Sequence, residues 1–399
     1  MTDPLGQSQV LPYIIGLSKQ DIKFTLVSFE KKERYEKGKR IIDEVCNKHS
    51  INWQPMLYTK KPPIISTLWD IYQLNNKVIR LHEEHNYSLM HCRSYITSLI
   101  GLRFKLKKGL PFIFDMRGFW ADERLDGEIW TLSKPYHKWI YSFFKRKEIE
   151  FLTTADYSVS LTHVGKNEII DWGLNGLSPI EVIPCCTDIN LFSKANINVE
   201  DLKAVRDKLG IGDNKIITYL GSTGTWYMIN EMLDFFAIFL SMAENNRALI
   251  ITKDEHHNII DLAIEKEIDI SKLIIRSSER QDVPLYLSLS SASIFFIKPV
   301  FSKKASSATK MGEIMALDIP VICNIIGDNE AILKDVCPQL ITRNFSNEEY
   351  LRVLEELNYI SQEDKIKIGN KAREYYSLDK GVLQYYKIYN SIGQPNLSK

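Results

Sequence analysis

The chain has 399 residues, and its hydrophobic fraction of 44% and charged fraction of 25% are typical of a globular protein with two or three domains. Lys plus Arg total 51 and Asp plus Glu total 50, which argues against a general nucleic-acid binder because such proteins present a strongly basic surface. The six cysteines are too sparse for a disulfide scaffold and form no C-x-x-C pair, so we expect buried thiols in a reducing cytoplasm and no zinc site.

Alternating strand and helix patterns fill the first half of the chain. We predict helices at residues 10–17, 33–49, 66–86, 95–107, 132–152 and 164–172, and strands at residues 22–29, 87–92, 111–116, 157–161 and 180–183. No run of 18 apolar residues occurs, and the N-terminus lacks the basic and apolar segments of a signal peptide. We therefore expect a soluble cytoplasmic protein, with any membrane contact peripheral and on the inner face of the plasma membrane.

The second half repeats this alternation after a connector at residues 184–194. We predict strands at residues 216–220, 248–252, 273–276, 292–297 and 321–324, helices at residues 199–209, 226–242 and 308–317, and a mostly helical tail at residues 347–392. The alternation predicts an α/β fold of two doubly wound, Rossmann-like domains whose parallel sheets are covered by helices on both faces. Ligands of such sheets bind at the carboxyl ends of the strands, so the cleft between the domains is the expected site.

The segment at residues 303–330 carries the clearest candidate site. A polar loop that includes Ser307 leads into a helix at about Thr309, and free N–H groups with a partial positive charge make a helix N-terminus favourable for phosphate. Lys310 would add a mobile positive charge, and Glu313, one turn further on, could accept hydrogen bonds from ribose hydroxyls. The alternative is that the polar side chains only cap the helix and that Glu313 is solvated.

A glycine turn at residues 221–224 is the second candidate, since it follows an apolar strand and precedes a helix. Gly221 and Ser222 would let the backbone approach a phosphate closely. The turn is neither a Walker loop nor a G-x-G-x-x-G fingerprint, so an ordinary strand-to-helix turn is the alternative.

Two further segments could contact an anion. Arg117, in the run DMRGFWADER after the strand at residues 111–116, could clamp one, and a solvated ion-pair turn is the alternative. Gly6, in the run GQSQ before the helix at residues 10–17, would offer a second amide nest, and capping of that helix by Ser8 is the alternative.

Basic and aromatic residues are interleaved at residues 134–147. Lys138, Lys145 and Lys147, together with Trp139 and other aromatic residues, could rest on anionic lipid. A helix that packs its aromatic face into the core is the alternative.

Five segments together carry a family resemblance: DPLGQSQVLPYIIGLS, FDMRGFWADER, VIPCCTDINLF, YLGSTGTWYMINEML and SSATKMGEIMALDIPVICN. The chain resembles a family 4 retaining glycosyltransferase of the GT-B fold from Asp3 to about Ile392. The resemblance implies an acceptor-binding domain at residues 1–184 and a nucleotide-sugar-binding domain at residues 185–380, which face each other across the cleft. It also implies that a last helix, within residues 381–399, crosses back to the first domain.

The chain departs from the family pattern at three places. Ala305 stands eight residues before Glu313, where the family commonly has a Glu that touches the donor sugar. Ser222 and Tyr227 stand near the glycine turn, where the family often has an Arg and a Lys that bind the diphosphate, so Lys303, Lys304, Lys310 or Arg117 would have to supply that charge. No apolar strand precedes the loop that begins at Asp3. We therefore expect an upstream start or a truncated copy, with a gap of one strand in the first sheet.

The resemblance implies transfer of a sugar, with retention, from a UDP- or GDP-linked nucleotide-sugar to a glycan or lipid-linked glycan during bacterial surface polysaccharide or lipopolysaccharide synthesis. Arg117 and Lys310 would be catalytic because they would stabilise the leaving diphosphate. No bound metal and no cofactor other than the nucleotide-sugar is expected. Two alternatives remain open: a catalytically degenerate binding or scaffold protein, and a nucleotide-sugar epimerase of the same fold. The predicted donor-binding residues are Gly6, Gly221, Ser222, Arg280, Ser307, Thr309 and Glu313.

Overall fold

The protein is described by a computed structural model that covers residues 1–62 and 64–393. Its N-terminal domain alternates strands with helices. The strands are β1 (Thr25–Glu30), β2 (Asn52–Leu57), β3 (Met90–Arg93), β4 (Phe112–Asp115), β5 (Tyr157–Ser160) and β6 (Ile180–Val182). The helices are α1 (Pro4–Gln9), α2 (Leu11–Ser18), α3 (Lys32–Lys48), α4 (Ile65–His85), α5 (Tyr95–Lys108), α6 (Trp120–Asp126), α7 (Pro135–Thr154) and α8 (His163–Asp171).

The C-terminal domain contains a six-stranded parallel sheet in the order β12-β11-β10-β7-β8-β9. Its strands are β7 (Ile216–Leu220), β8 (Arg247–Ile251), β9 (Leu273–Arg276), β10 (Ala292–Phe295), β11 (Val321–Asn324) and β12 (Ile341–Thr342). The helices that follow the connector are α9 (Val199–Lys208), α10 (Ile229–Met242), α11 (His256–Glu265), α12 (Val283–Leu287), α13 (Thr309–Ala316), α14 (Asn329–Leu333), α15 (Asn347–Leu357), α16 (Gln362–Tyr375) and α17 (Leu378–Gly393).

The parallel strands of the N-terminal domain are divided between two sheets. The strands β1 and β2 pair with each other, and β3, β4, β5 and β6 form a separate four-stranded sheet in that order. Within the described residues, β1 pairs on one side only, and its residues other than Glu30 are partly exposed. The interruption agrees with the gap expected from the sequence, and it leaves two strand edges open.

Three short elements of the N-terminal domain are not among the sequence predictions. The strand β2 contains Pro55, which lacks the N–H of a ladder donor and weakens the strand signal, but β2 is an edge strand and tolerates it. The helix α6 begins at Trp120, within the run predicted as a polar turn. The helix α1 occupies the predicted glycine loop, with Asp3 as its N-cap.

The chain passes between the two domains twice, and the two crossings lie side by side. Thr187, in the connector, forms a parallel bridge with Ser377, which precedes α17. The Thr187 amide donates to the Tyr376 carbonyl at 2.7 Å, and the Leu378 amide donates to the Thr187 carbonyl at 3.2 Å. The helix α17 then packs on α2, where Tyr385 and Tyr13 meet edge to face. The end of the predicted segment 381–399, residues 394–399, lies outside the described residues.

A second contact joins the domains around a 3-10 helix, Phe301–Ala305, of the C-terminal domain. The Ser302 amide donates to the Asp126 carboxylate, and Lys303 pairs with Glu123 at 2.8 Å. Ala305 is fully buried against Gly165, where a Cβ would lie only 2.7 Å from that of Ala305. In the described part of the chain, no helix is both long and apolar enough to cross a membrane.

Candidate functional site

Lys310 lies on the first turn of α13 with its ammonium group against the glycine turn. A Cβ added to Gly221 would stand 2.6 Å from Lys310 Nζ, and Gly221 has φ +126°, so a side chain at position 221 is disfavoured by both space and backbone. Lys310 Nζ lies 3.6 Å from the ring centroid of Tyr227 and donates to Tyr219 Oη at 3.3 Å. Burial lowers the pKa of Lys310 well below its usual value, and the nearby Glu313 carboxylate only partly opposes this shift.

The backbone of the glycine turn is largely committed to partners within the protein. The Gly221 amide donates to the Ile251 carbonyl at 2.9 Å, so it extends the sheet and does not point to an open anion site. The Thr223 amide and the Ser222 hydroxyl both donate to the Asp254 carboxylate. The Gly221 amide is therefore not available to a diphosphate, whereas the predicted contact of the Ser222 backbone with a phosphate stays a prediction. What Gly221 provides is space for the Lys310 ammonium group.

Glu313 and Arg280 meet on the C-terminal side of the cleft. Arg280 Nη1 donates to Glu313 Oε1 at 2.8 Å, and the Glu313 side chain is 6% exposed whereas that of Arg280 is 41% exposed. Burial raises the pKa of Glu313, although the Arg280 guanidinium opposes this increase. Both residues were predicted from the sequence as donor-binding residues, but their pairing was not. Glu313 is buried and paired with Arg280, so the alternative of a solvated Glu313 is wrong.

The start of α13 faces the connector between the domains. The helix begins at Thr309, and its N-cap, Ala308, has no side chain that can cap it. Ser307 instead uses its hydroxyl oxygen to accept a hydrogen bond from the Cys185 amide at 3.2 Å. Ser307 therefore links the start of α13, the helix predicted to bind phosphate, to the connector between the domains.

Arg117 approaches the same connector from the N-terminal domain. Its φ is +60°, an unusual conformation for a non-glycine residue, and its Nη2 donates to Cys185 Sγ at 3.1 Å. The charge is balanced by Asp115, whose Oδ1 lies 3.8 Å from Arg117 Nη1. The guanidinium is mostly buried and makes few hydrogen bonds, which leaves donors for an anion in the cleft.

Asp115 is the centre of a polar cluster at the carboxyl end of β4. Its Oδ2 accepts a hydrogen bond from Tyr385 on α17 at 3.2 Å and lies 3.5 Å from Arg93 Nη1 and 3.4 Å from His91 Nε2. Burial alone would raise the pKa of Asp115, but Arg117, His91 and Arg93 outweigh it and hold the pKa well below its usual value.

The remaining predicted anion contacts are placed differently. Gly6 lies inside α1 and not in a loop nest, and a Cβ there would stand 2.8 Å from Met1 Cα. Ser8 donates to the Pro4 carbonyl and does not cap α2. Lys303 and Lys304 are paired closely with Glu123 and Glu168. Lys310, and Arg117 with its more distant Asp115 partner at 3.8 Å, are therefore the better candidates from the sequence prediction for contact with a ligand.

Sequence reasoning missed the groups that surround these candidates. Tyr219 lies on β7 and Tyr227 follows the glycine turn, and both enclose Lys310. Burial raises the pKa of Tyr227 to about 12, so this hydroxyl stays protonated. Asp254, which binds the glycine turn, comes from the loop after β8. The available signal is that Tyr219 and Asp254 lie at or just beyond the carboxyl end of a predicted strand, whereas Tyr227 falls within the helix predicted at residues 226–242.

A surface cavity of about 460 Å³ lies at the opposite edge of the C-terminal sheet, where β7 and β10 begin. Lys215, Asn246, Ser291 and Asn358 are among its lining residues, and none of the predicted site residues is. The side-chain chemistry therefore indicates the cleft, and this cavity does not coincide with it.

Residues 10–191 match the sequence profile of Glycosyltransferase Family 4. No curated protein sequence matches the chain. HepE from Anabaena, solved in complex with UDP-glucose, is 12% identical, with coverage of 98% of this chain and 97% of HepE and a TM-score of 0.70. Sucrose-phosphate synthase from Thermosynechococcus elongatus is 13% identical, with coverage of 93% and 99% and a TM-score of 0.68. A glycosyltransferase from Rickettsia africae is 14% identical, with coverage of 98% and 97% and a TM-score of 0.69.

The chain has the GT-B fold of these solved structures. Its two Rossmann-like domains correspond to those of the solved structures over nearly the whole length of each chain. In this GT-B fold the site described above lies between the domains: Arg117 belongs to one, and Lys310, Glu313 and Arg280 belong to the other.

Proposed function

We propose that the protein is a retaining glycosyltransferase that transfers a sugar from a UDP- or GDP-linked donor to a glycan or lipid-linked glycan on the cytoplasmic side of a bacterial plasma membrane. The observation that carries this proposal is the buried Lys310 ammonium beside Gly221, one helical turn from the Glu313–Arg280 pair. The Lys310 ammonium group would contact a diphosphate, and the Glu313 carboxylate beside Arg280 would accept hydrogen bonds from a ribose. The complex of HepE with UDP-glucose, a protein of the same fold, supports a nucleotide-sugar as the ligand.

The proposed chemistry assigns one task to each group. Lys310 and Arg117 stabilise the negative charge that develops on the diphosphate as its bond to the sugar breaks. Glu313 accepts hydrogen bonds from the ribose through the oxygen that Arg280 leaves free, so Arg280 positions this carboxylate. Closure of the cleft excludes water and limits hydrolysis of the donor.

The first experiment is thermal unfolding of the protein alone and with excess UDP, GDP, ADP or CMP. A nucleotide at 100 times its dissociation constant stabilises the folded state by about 2.7 kcal/mol. We expect a rise in the melting temperature with UDP or GDP, and we expect Glu313→Ala to lose most of that rise. Glu355→Ala, which removes an exposed Glu from α15, should keep it.

The same experiment distinguishes the alternatives. A cooperative melt that no nucleotide shifts contradicts the proposal and favours a binding or scaffold protein. If a nucleotide-sugar is bound but is converted to its epimer without an acceptor, the protein is an epimerase and not a transferase.

The proposed acceptor suggests contact with a membrane, but α7 is poorly suited to provide it. Lys145 is paired with Asp122 at 2.9 Å and with the buried Glu148, and Lys147 is paired with Glu150 at 2.6 Å. Phe144 is buried, although Trp139 is exposed. Charge reversal at Lys145 would disrupt an internal ion pair, so it would not test lipid binding.

A further inference from the structure

An exposed apolar stripe covers the first two turns of α4. It consists of Ile65, Leu68, Trp69 and Tyr72, spaced i, i+3, i+4 and i+7, so all four lie on one face of the helix. Their exposed fractions are 65%, 62%, 52% and 58%, and the Trp69 and Tyr72 rings stack at 5.7 Å. A helix of a globular domain normally buries such a face, so this stripe, called here the α4 patch, is a candidate interaction surface.

The α4 patch lies at the carboxyl edge of the β1–β2 sheet, which adjoins the cleft. The chain leaves β2 at Leu57, and the Thr59 amide donates to Asp70 on α4, which fixes the loop against the helix. At the same edge, the Glu30 carboxylate at the end of β1 accepts hydrogen bonds from Thr2. The helix α1 continues from there to Gln9, which donates to the Cys186 carbonyl in the connector.

Two lysines lie just before the α4 patch in the chain. The charged residues between Leu57 and His82 are Lys60, Lys61, Asp70, Lys77 and Arg80, and Asp70 is buried. Lys60 and Lys61 are exposed in the loop just before the patch. The surface is therefore apolar along the stripe and basic at its N-terminal end, and residues 57–82 contain no exposed carboxylate.

This composition fits a lipid bilayer better than a sugar. Ile65 and Leu68 offer only hydrocarbon, which a glycan rich in hydroxyl groups would leave without hydrogen bonds. Trp and Tyr prefer the level of the headgroups, and lysines beside them are attracted to anionic lipid.

We propose that the α4 patch, with Lys60 and Lys61, docks the N-terminal domain on an anionic lipid surface. This inference rests on the proposed function, because docking at the cleft edge would bring a lipid-linked acceptor to the site. Trp69 and Leu68 enter the interface between headgroups and acyl chains, and the two lysines remain among the headgroups.

The test is sedimentation with vesicles of phosphatidylglycerol and phosphatidylcholine, compared with vesicles of phosphatidylcholine alone. We expect the full chain to bind the anionic vesicles and the double variant Leu68→Ser, Trp69→Ser to bind at least tenfold more weakly. Lys60→Glu with Lys61→Glu should also weaken binding to anionic vesicles. The matched controls, Val199→Ser with Tyr359→Ser and Lys203→Glu with Lys334→Glu, change exposed residues elsewhere and should bind like the unmodified protein.

Three results would overturn the proposal: no binding of the unmodified protein to anionic vesicles, equal binding by the α4 variants, or a homodimer that the Leu68→Ser, Trp69→Ser variant dissociates. The stripe would then be unused or would bind a second copy. Nucleotide-induced stabilisation, measured on the same samples, separates the two proposals. If it is intact while vesicle binding is absent, the docking surface is wrong and the donor site is not.

Discussion

At the scale of single residues, Lys310 combines a buried ammonium group with very few partners. It has three N–H donors, but the structure gives it one hydrogen bond, to Tyr219, and contact with the Tyr227 ring. Burying a charge in this way is unfavourable unless a ligand or a neighbour compensates it. Burial lowers the pKa of Lys310, and a diphosphate beside it would provide the compensation that favours its charged form.

Lys310→Met should separate stability from binding. We expect the variant to be more stable than the unmodified protein by about 1–3 kcal/mol, because the buried donors are removed while the volume is nearly kept. We expect it to lose the nucleotide-induced rise in melting temperature. Lys304→Met, which removes a lysine paired at the surface with Glu168, is the control. Retained nucleotide stabilisation in Lys310→Met would contradict the assignment.

Asp115 makes a testable contribution that depends on pH. Its pKa is held below the usual value because Arg117, His91 and Arg93 outweigh the effect of burial, so the ionised form stabilises the fold. That stabilisation is complete above the pKa of an unfolded Asp, about 3.9, and is lost as the pH falls towards the lower folded value. Asp115→Asn should lower the free energy of unfolding by about 3–5 kcal/mol at pH 7, since it leaves buried cations unpaired.

Urea unfolding of Asp115→Asn across pH 3–7 would measure this effect, with the exposed Asp335→Asn as control. The difference between variant and unmodified protein should begin to shrink below about pH 4, because the unfolded chain then binds a proton at Asp115 that the folded protein does not bind. A difference that stays constant with pH would show that the role of Asp115 is steric and not electrostatic.

The residues of the candidate site could be proposed from the sequence only where a local pattern exists. Lys310 and Glu313 follow a polar loop at a helix start, and Arg117 follows a strand, so each could be named. Tyr219 and Asp254 could not, and neither could the contact of Tyr227 with Lys310, because a single sequence does not state which side chains from distant segments meet. The actual role of Gly221, which is to make room for Lys310, likewise depends on a contact across 89 positions of the chain.

At the scale of elements, α8 is capped by its own Thr162, which accepts from the Gly165 amide, and also by a residue of the other domain. The amides of His163 and Val164, at the start of α8, donate to the Asp328 carboxylate at 2.7 and 3.0 Å. Tyr375 on α16 donates to the same carboxylate at 2.7 Å. A negative charge at a helix N-terminus is favourable, so Asp328 stabilises both α8 and the contact between the domains.

Asp328→Ala should weaken this contact without unfolding either domain. The loss of a capping carboxylate lowers the free energy of unfolding by about 1–2 kcal/mol. We also expect a larger radius of gyration in small-angle X-ray scattering, because the domains separate more readily. The control is Asp213→Ala, at an exposed position. If the radius of gyration and the melting temperature were both unchanged, the 3-10 helix and the Thr187–Ser377 bridge would be sufficient to hold the two domains together.

Most elements of the fold could be predicted because buried parallel strands appear in the sequence as apolar runs, and the helices that cover them appear as amphipathic segments between those runs. The prediction fails where local signals conflict with the tertiary structure. The strand β2 contains Pro55 and is recognisable only once its edge position is known. The helix α6 begins in a charged and aromatic run whose core contacts, such as Trp120 with Phe144 at 4.8 Å, are distant in sequence.

At the scale of the whole molecule, the interrupted N-terminal sheet predicts uneven protection of the backbone. Amides of β1 that point away from β2 lack a strand partner among residues 1–62 and 64–393, whereas β4 pairs with β3 and β5 on both sides. We therefore expect alternate amides between Thr25 and Glu30 to exchange with solvent hydrogen much faster than those of β4. Hydrogen exchange followed by NMR would measure this. Equal protection of the two strands would show that the open edge of β1 is covered in solution.

The paired crossings at Thr187 and Ser377 also determine how the two domains can move. A single linker lets two domains rotate about any axis. Two adjacent backbone segments that are hydrogen-bonded to each other restrict the rotation to one axis. Cys185 lies two residues before Thr187 and so is close to that axis. The part of the proposed donor site that is formed by the connector would therefore move little when the domains separate. Glu123 belongs to the N-terminal domain and Lys303 to the C-terminal domain. Opening of the cleft would therefore separate this ion pair. Donor entry would then widen the mouth of the cleft while leaving its base assembled.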